Sequence, residues 1–514
     1  MAEDDEDVAR FGALFRRFLE QVVHGPGSVT ANALTRRLDT HLGSEASTLP
    51  VAAESWSPYR LPDVNRALSA VLPADAELLG VGSAMHQVEG LTVLVAAARA
   101  GHVDVGPVQR VTVAVGPDET ETAIAAGLWL TVIGGKPAAV FMMQADLRRG
   151  RPRVVLEVLG ADPEAAAAFL QSVQEKAVEL SVLRGQVLSF GVSEFGPATG
   201  PLRFHRRPVP HRDDLVLPEG TLDVVERQVI GLAEHRERLR EQGQHLKRGV
   251  LLHGPPGTGK TLTVRYLVGR MPDVTVLLLA GQTLAFISEA AELARAFQPA
   301  LVVLEDCDLV AEDRSFSHGP QPLLFQVLDE LDGLAEDADV TFLLTTNRAQ
   351  VLEAALAQRP GRVDQAVEIP LPDDAGRRAL FELYSRDVPL ADDVDLDAVV
   401  QQTPGTTASY LKELVRRSAL LAAIDGQPVV AGAHVTAALE ELGAGRHALT
   451  RALVGGGDRA GAGSAGDGWV PQFRGGGRDG MFYGSALTLS STAGIDAQGS
   501  AELADGGPLV EDDV

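Results

Sequence analysis

The chain has 514 residues, 45% of them hydrophobic, which is enough for two or three domains that each bury a core. Its formal net charge of −25 removes the broad electrostatic attraction on which most nucleic-acid binders depend, so no nucleic-acid partner is expected. The single cysteine, Cys307, excludes an intramolecular disulfide framework and suits a reducing cytosol, and the acidic opening Met-Ala-Glu-Asp-Asp-Glu-Asp is the opposite of a secretory n-region; a cytoplasmic protein is expected.

In chain order, Val8 to Val23 places Phe11, Leu14, Phe15, Phe18, Leu19 and Val22 on one face, predicting an amphipathic helix. Shorter helical patterns follow at Ser28 to Leu42 and Val64 to Leu72. From about Val103 the pattern changes to β-rich runs at Val111–Val115, Leu128–Ile133, Ala138–Met143 and Val154–Leu159. An alanine-rich helix from Pro163 to Leu180 interrupts them, and strand character resumes at Gln186–Phe190 and Leu202–Phe204. The apolar stretch Thr122 to Met143 is broken by Gly134-Gly135-Lys136-Pro137, which suits a hairpin better than the ~20 unbroken apolar residues of a membrane span. No membrane partner is expected. Residues 1–210 therefore read as an α+β N-terminal domain, with the proline- and charge-rich Arg206 to Asp214 as the linker.

Beyond it, Thr221 to Gln244 is helical, and strands then alternate with helices: Val274–Leu279, a helix to Phe297, Ala300–Leu304, a helix from Pro322 to Leu331, and Val340–Thr346. That alternation predicts an α/β fold over residues 211–372, a parallel sheet flanked by helices, with a ligand at the C-terminal ends of the strands. Residues 373–445 read as a small helical lid. Within 446–514, the last 60 residues hold 16 glycines and 9 acids without apolar period, predicting a disordered tail.

One stretch organises the chemistry. Gly254-Pro255-Pro256-Gly257-Thr258-Gly259-Lys260-Thr261 lies between the apolar strand Val250–Leu252 and a helix that carries Leu262, and has the G-x-x-x-x-G-K-[ST] spacing of a phosphate loop. Glycines let successive backbone N–H groups face one anion, the helix N-terminus adds partial positive charge, and Lys260 supplies a full charge for the β- and γ-phosphates. Thr261 is placed to give its hydroxyl to Mg²⁺. The apolar strand Leu301–Leu304 then ends in Glu305-Asp306, where one carboxylate can hold the Mg²⁺ water shell and its neighbour can activate the attacking water.

Four further stretches complete a resemblance: Leu323–Leu334 (LLFQVLDELDGL), Leu343–Arg348 (LLTTNR), Arg359–Asp364 (RPGRVD) with Ile369–Pro372, and Thr403-Pro404-Gly405 with Leu411–Leu414. Over Leu217 to Leu442 the chain resembles the AAA family of ATPases, in the protein-remodelling branch of the AAA+ superfamily. The resemblance implies a P-loop NTPase fold with ATP and Mg²⁺ as ligands. Residues 254–262 would hold the nucleotide, Thr261 and Glu305 the metal side, and Asp306 the base side. It further implies that Asn347 positions the lytic water and that Arg359 and Arg362 are arginine fingers acting on the neighbouring subunit. A homo-oligomeric ring, expected to be a hexamer, and protein clients follow from the same likeness; the alternative is a nucleotide-gated scaffold or regulatory ATPase with slow or no hydrolysis. Three departures stand out. Most members read Asp-Glu where this chain has Glu305-Asp306, an order found in the Bcs1-like group. The lid turn Gly405-Thr406-Thr407-Ala408-Ser409-Tyr410 differs from the usual Gly-aromatic-Ser/Thr-Gly-Ala-Asp. Finally, Phe286-Ile287 matches the aromatic-aliphatic pair that lines the pore of hexameric unfoldases but lacks the following glycine, so Phe286 reads equally as a pore residue and as a core residue.

Overall fold

The computed structural model of the protein describes residues 32–82, 89–191, 202–307, 338–348 and 363–443, with Leu14, Glu330 and Gly333. Apart from Leu14 and Glu330, the helices expected at Val8–Val23 and Pro322–Leu331 lie outside these residues, as does the tail.

The first sheet is antiparallel and has seven strands: β1 (Val51–Trp56), β2 (Glu77–Gly82), β3 (Asp104–Gly106), β4 (Gln109–Ala114), β5 (Thr120–Ile133), β6 (Lys136–Met143) and β7 (Val154–Gly160). Their order is β1-β7-β6-β5-β2-β3, with β4 also on β5. The predicted hairpin joins β5 to β6, where Ile133 pairs with Lys136 across Gly134 and Gly135. Those glycines have φ of 59° and 79°, the left-handed values of a two-residue turn that matches strand twist. Helices cover both faces. On one side α1 (Ala33–Leu42) and α3 (Leu91–Arg99) meet Leu128 and Phe141; on the other α2 (Leu61–Val71) and α4 (Pro163–Glu179) meet Trp129 and Val140. A sheet buried on both faces gives strands with continuous apolar runs, as β6 has.

The second sheet contains β8 (Val187–Phe190), β9 (Leu202–His205), β10 (Arg248–His253), β11 (Thr275–Ala280), β12 (Ala300–Glu305), β13 (Val340–Thr346) and β14 (Gln365–Glu368), in the order β14-β10-β13-β12-β11-β8-β9. All pairs are parallel except β8 with β9. One face packs α5 (Thr221–Glu241) and α6 (Lys260–Arg270) through Val225, Val229, Val264 and Leu267; the other packs α7 (Ile287–Ala296) through Ile287, Ala290 and Leu293.

The expected seam near Pro210 is not where the sheets part. β8 and β9 fall inside residues 1–210, yet they extend the second sheet, with Val187 against Val276 and Leu188 against Leu277. Arg207, in the expected linker, donates to the carbonyls of Gly185, Val268 and Val274 at 2.8–2.9 Å. Arg60 adds a tie from the first sheet's helices: it donates to buried Asp63 at 2.6 Å and lies 5.0 Å over the ring of Phe297, in the core of the second sheet. The linker's polar composition misled because Arg207 is satisfied by backbone carbonyls of the second sheet's layer, while Arg206 and Arg212 stay exposed and pair with carboxylates.

The C-terminal region is helical as expected: α8 (Asp374–Tyr384), α9 (Leu396–Gln402), α10 (Ala408–Ile424) and α11 (Gly432–Gly443), around Leu380, Phe381, Leu411, Leu414 and Ala438. Asp373 and Thr407 cap α8 and α10 by accepting from the N–H groups of Gly376 (2.7 Å) and Tyr410 (3.3 Å).

Candidate functional site

β10 lies between β14 and β13, and the strand order reverses around it, so a crevice opens at its C-terminal end. There the chain turns through residues 254–259 into α6, whose first residue is Lys260. A side chain at Gly254 would put its Cβ 2.1 Å from the carbonyl oxygen of Ile369, and Gly257 holds φ at 78° against the lid. The loop is thus shaped by backbone that only glycine permits. The Lys260 ammonium is folded into it, donating to the carbonyls of Gly254 and Pro255 at 2.8 Å each, with the residue only 6% exposed. Thr261 is exposed beside it on the first turn of α6.

At the tip of β12 the backbone is unusual in another way. Asp306 has φ of 52°, the one left-handed non-glycine residue among those described, at a cost of about 1–2 kcal/mol. Its N–H donates to Thr345 Oγ1 at 3.0 Å, and the N–H of Cys307 donates to the Thr345 carbonyl at 3.0 Å. Asn347, just past the end of β13, donates through Nδ2 to Asp306 Oδ1 at 3.1 Å. The structure therefore brings the expected acid and the expected sensor into direct contact. Burial, and then the charge of Asp306, push the Glu305 carboxyl up to about 7, with Arg265 of α6 opposing. A divalent cation beside two such adjacent carboxyls would favour their ionised forms.

The lid closes over the same loop. Ser409 donates its N–H to the Gly257 carbonyl at 3.2 Å. A cavity of about 330 Å³ beside Thr258 is lined by Val216, Leu217, Pro218, Ala379 and Ala408 together with the acids Glu219 and Asp373, a volume that would admit a purine ring. Arg359 and Arg362 lie outside the described residues. Phe286 is settled as core: it is 2% exposed and stacks on Phe190 of β8, ring centroids 4.9 Å apart. Sequence reading missed Thr345, Arg265 and Ser409. For Thr345 the signal in the sequence was a hydroxyl directly after the apolar run Phe342–Leu344, next to a second one at Thr346, on the way to Asn347.

Residues 250–371 match the model of the ATPase family associated with various cellular activities (AAA). Over these residues the chain carries an AAA-family ATPase domain. The match takes in the phosphate loop and the strands from β10 to β14, while β8, β9 and the helices from Asp374 onwards lie outside it. Among curated relatives, the ATP-dependent zinc metalloprotease FtsH 1 of Sphaerobacter thermophilus is 33% identical over 281 residues, 52% of this chain and 42% of that protein. FtsH 3 of the same organism is 36% identical over 237 residues, 44% of this chain and 48% of that one. Proteasome-activating nucleotidase 2 of Haloferax volcanii is 34% identical over 223 residues, 41% and 54% of the two chains. The chain thus spans about half the length of the relatives it matches. No His-Glu-x-x-His occurs in its 514 residues, so the zinc-protease motif is not among the features seen here. No described helix is long and apolar enough to cross a membrane.

Proposed function

We propose that this AAA protein binds ATP with Mg²⁺ and hydrolyses it in a ring of its own copies, expected to be hexameric, to do work on protein partners in the cytosol. The observation that carries the reading is the Asp306–Asn347 contact at the tips of neighbouring strands, in the crevice where the phosphate loop opens. In that arrangement Lys260 would neutralise the terminal phosphates, Thr261 and Glu305 would hold the metal's water shell, and Asp306 would accept a proton from a water that Asn347 orients. Arg359 and Arg362 complete the site of an adjacent subunit. The printed functions of the relatives, proteolysis and activation of a proteasome, both concern proteins and support the substrate class.

The test is ATP turnover by the purified full chain, with Lys260→Ala and Asp306→Asn alongside. Wild-type hydrolysis abolished by either change supports the reading, and hydrolysis that survives both overturns it. Mixing Arg362→Ala with Lys260→Ala subunits should restore part of the activity if the fingers act in trans. A second reading, a nucleotide-gated scaffold that holds partners without threading them, is favoured by the burial of Phe286 against Phe190. An unfolding assay on a tagged model protein separates the two, since only a threading machine unfolds it.

A further inference from the structure

The geometry points to Thr345 as the residue that positions the acid of this site, a role that rests on the hydrolytic reading above. β12 and β13 pair in parallel up to Leu304 and Leu344, where the regular ladder ends. Glu305 still pairs with Ala280 of β11, and at the turn that follows, Thr345 takes hold of the chain twice. Its Oγ1 accepts the Asp306 N–H and its carbonyl accepts the Cys307 N–H, both at 3.0 Å. Between those two anchored amides Asp306 is fixed at φ 52°, and the carboxylate that leaves this backbone meets Asn347 at 3.1 Å. Thr345 itself is 2% exposed, so its hydroxyl faces this turn and not solvent. An Asp reaches one methylene less than a Glu, so its placement depends on the backbone beneath it. Thr345 supplies that placement without touching the reacting atoms, and Asn347, two residues on along the same chain, is set by the same strand. Acid and sensor are thereby set in one frame by one residue, through its hydroxyl and its carbonyl.

Thr345→Val keeps the shape and strand preference and removes the acceptor; Thr345→Ser keeps the acceptor. The expected result is that Val lowers kcat by roughly 10- to 100-fold, the scale of a misplaced catalytic group, with affinity for a non-hydrolysable ATP analogue within about twofold, and that Ser recovers most of the rate. A Val variant with wild-type kcat, or one that loses nucleotide affinity as much as rate, overturns the assignment. If Val is insoluble, Thr345→Ala against Thr345→Ser makes the same comparison. If the wild type itself hydrolyses nothing, the functional reading fails, and crystal structures of wild type and Val then decide for Thr345. Loss of the left-handed Asp306 and its Asn347 contact in Val supports the role, and their persistence overturns it.

Discussion

Two strand tips, on either side of β13, each bend the backbone into conformations that ordinary residues avoid. At the tip of β10 glycines do this, at Gly254 with no room for a Cβ and at Gly257 with φ of 78°. At the tip of β12 an aspartate does it and is held by its neighbours: Thr345 below, Asn347 beside. The first device is written into the residue that bends; the second is written into a different strand. A glycine loop can therefore be recognised one residue at a time, whereas a clamped acid is recognised only once β12 and β13 are side by side.

The sharpest break in this comparison is chemical. Lys260→Ala removes the charge held inside the glycine tip, and ATP turnover should fall by at least about 100-fold, measured by phosphate release. At the acid tip pH is the lever. Glu305 goes from 4.5 in the unfolded chain to about 7 in the fold, so the fold binds its proton more tightly. The stabilisation is complete below pH 4.5 and is lost as pH rises towards 7, about 3 kcal/mol over that window. Urea midpoints in metal-free buffer at the two ends of the window should therefore differ more for wild type than for Glu305→Gln, and equal differences would remove Glu305 from the account. Gly254→Ala tests the glycine tip's geometry. With a Cβ 2.1 Å from the Ile369 carbonyl, it should cost about 1–3 kcal/mol in urea unfolding and weaken ATP binding. The smallest stability effect is expected for Asp306→Gly, because relief of left-handed strain and the greater freedom of an unfolded glycine nearly cancel, leaving a change under about 1 kcal/mol. Turnover should nonetheless vanish with the carboxylate, and that split would show that strain at this tip serves the acid, not the fold.

Much of the fold was legible. The phosphate loop, the alternation that makes the parallel sheet, the Gly134-Gly135 hairpin and the helical lid all follow from local period and turn chemistry, each confined to a short run of sequence. The domain seam was not, because β8 is a four-residue strand whose partner β11 lies far along the chain, and nothing in Val187–Phe190 says which of two sheets it joins. Phe286 was ambiguous for a related reason. An aromatic beside a helix start has the same sequence whether it faces a pore or, as here, the ring of Phe190. In the site, Lys260 and Asp306 were found from spacing, while Arg265, Ser409 and Thr345 act through contacts that no spacing records.

The β8–β9 hairpin also determines where this protein can be cut. A fragment begun at the proline cluster, which composition alone would recommend, leaves the amide and carbonyl groups of Val276–Leu278 without their strand and strips Phe190 from Phe286. Such a piece carries a raw apolar sheet edge and invites edge-to-edge association. The smallest ATPase fragment that stays monodisperse should start upstream of Val187, so that the second sheet brings its own edge guard with it.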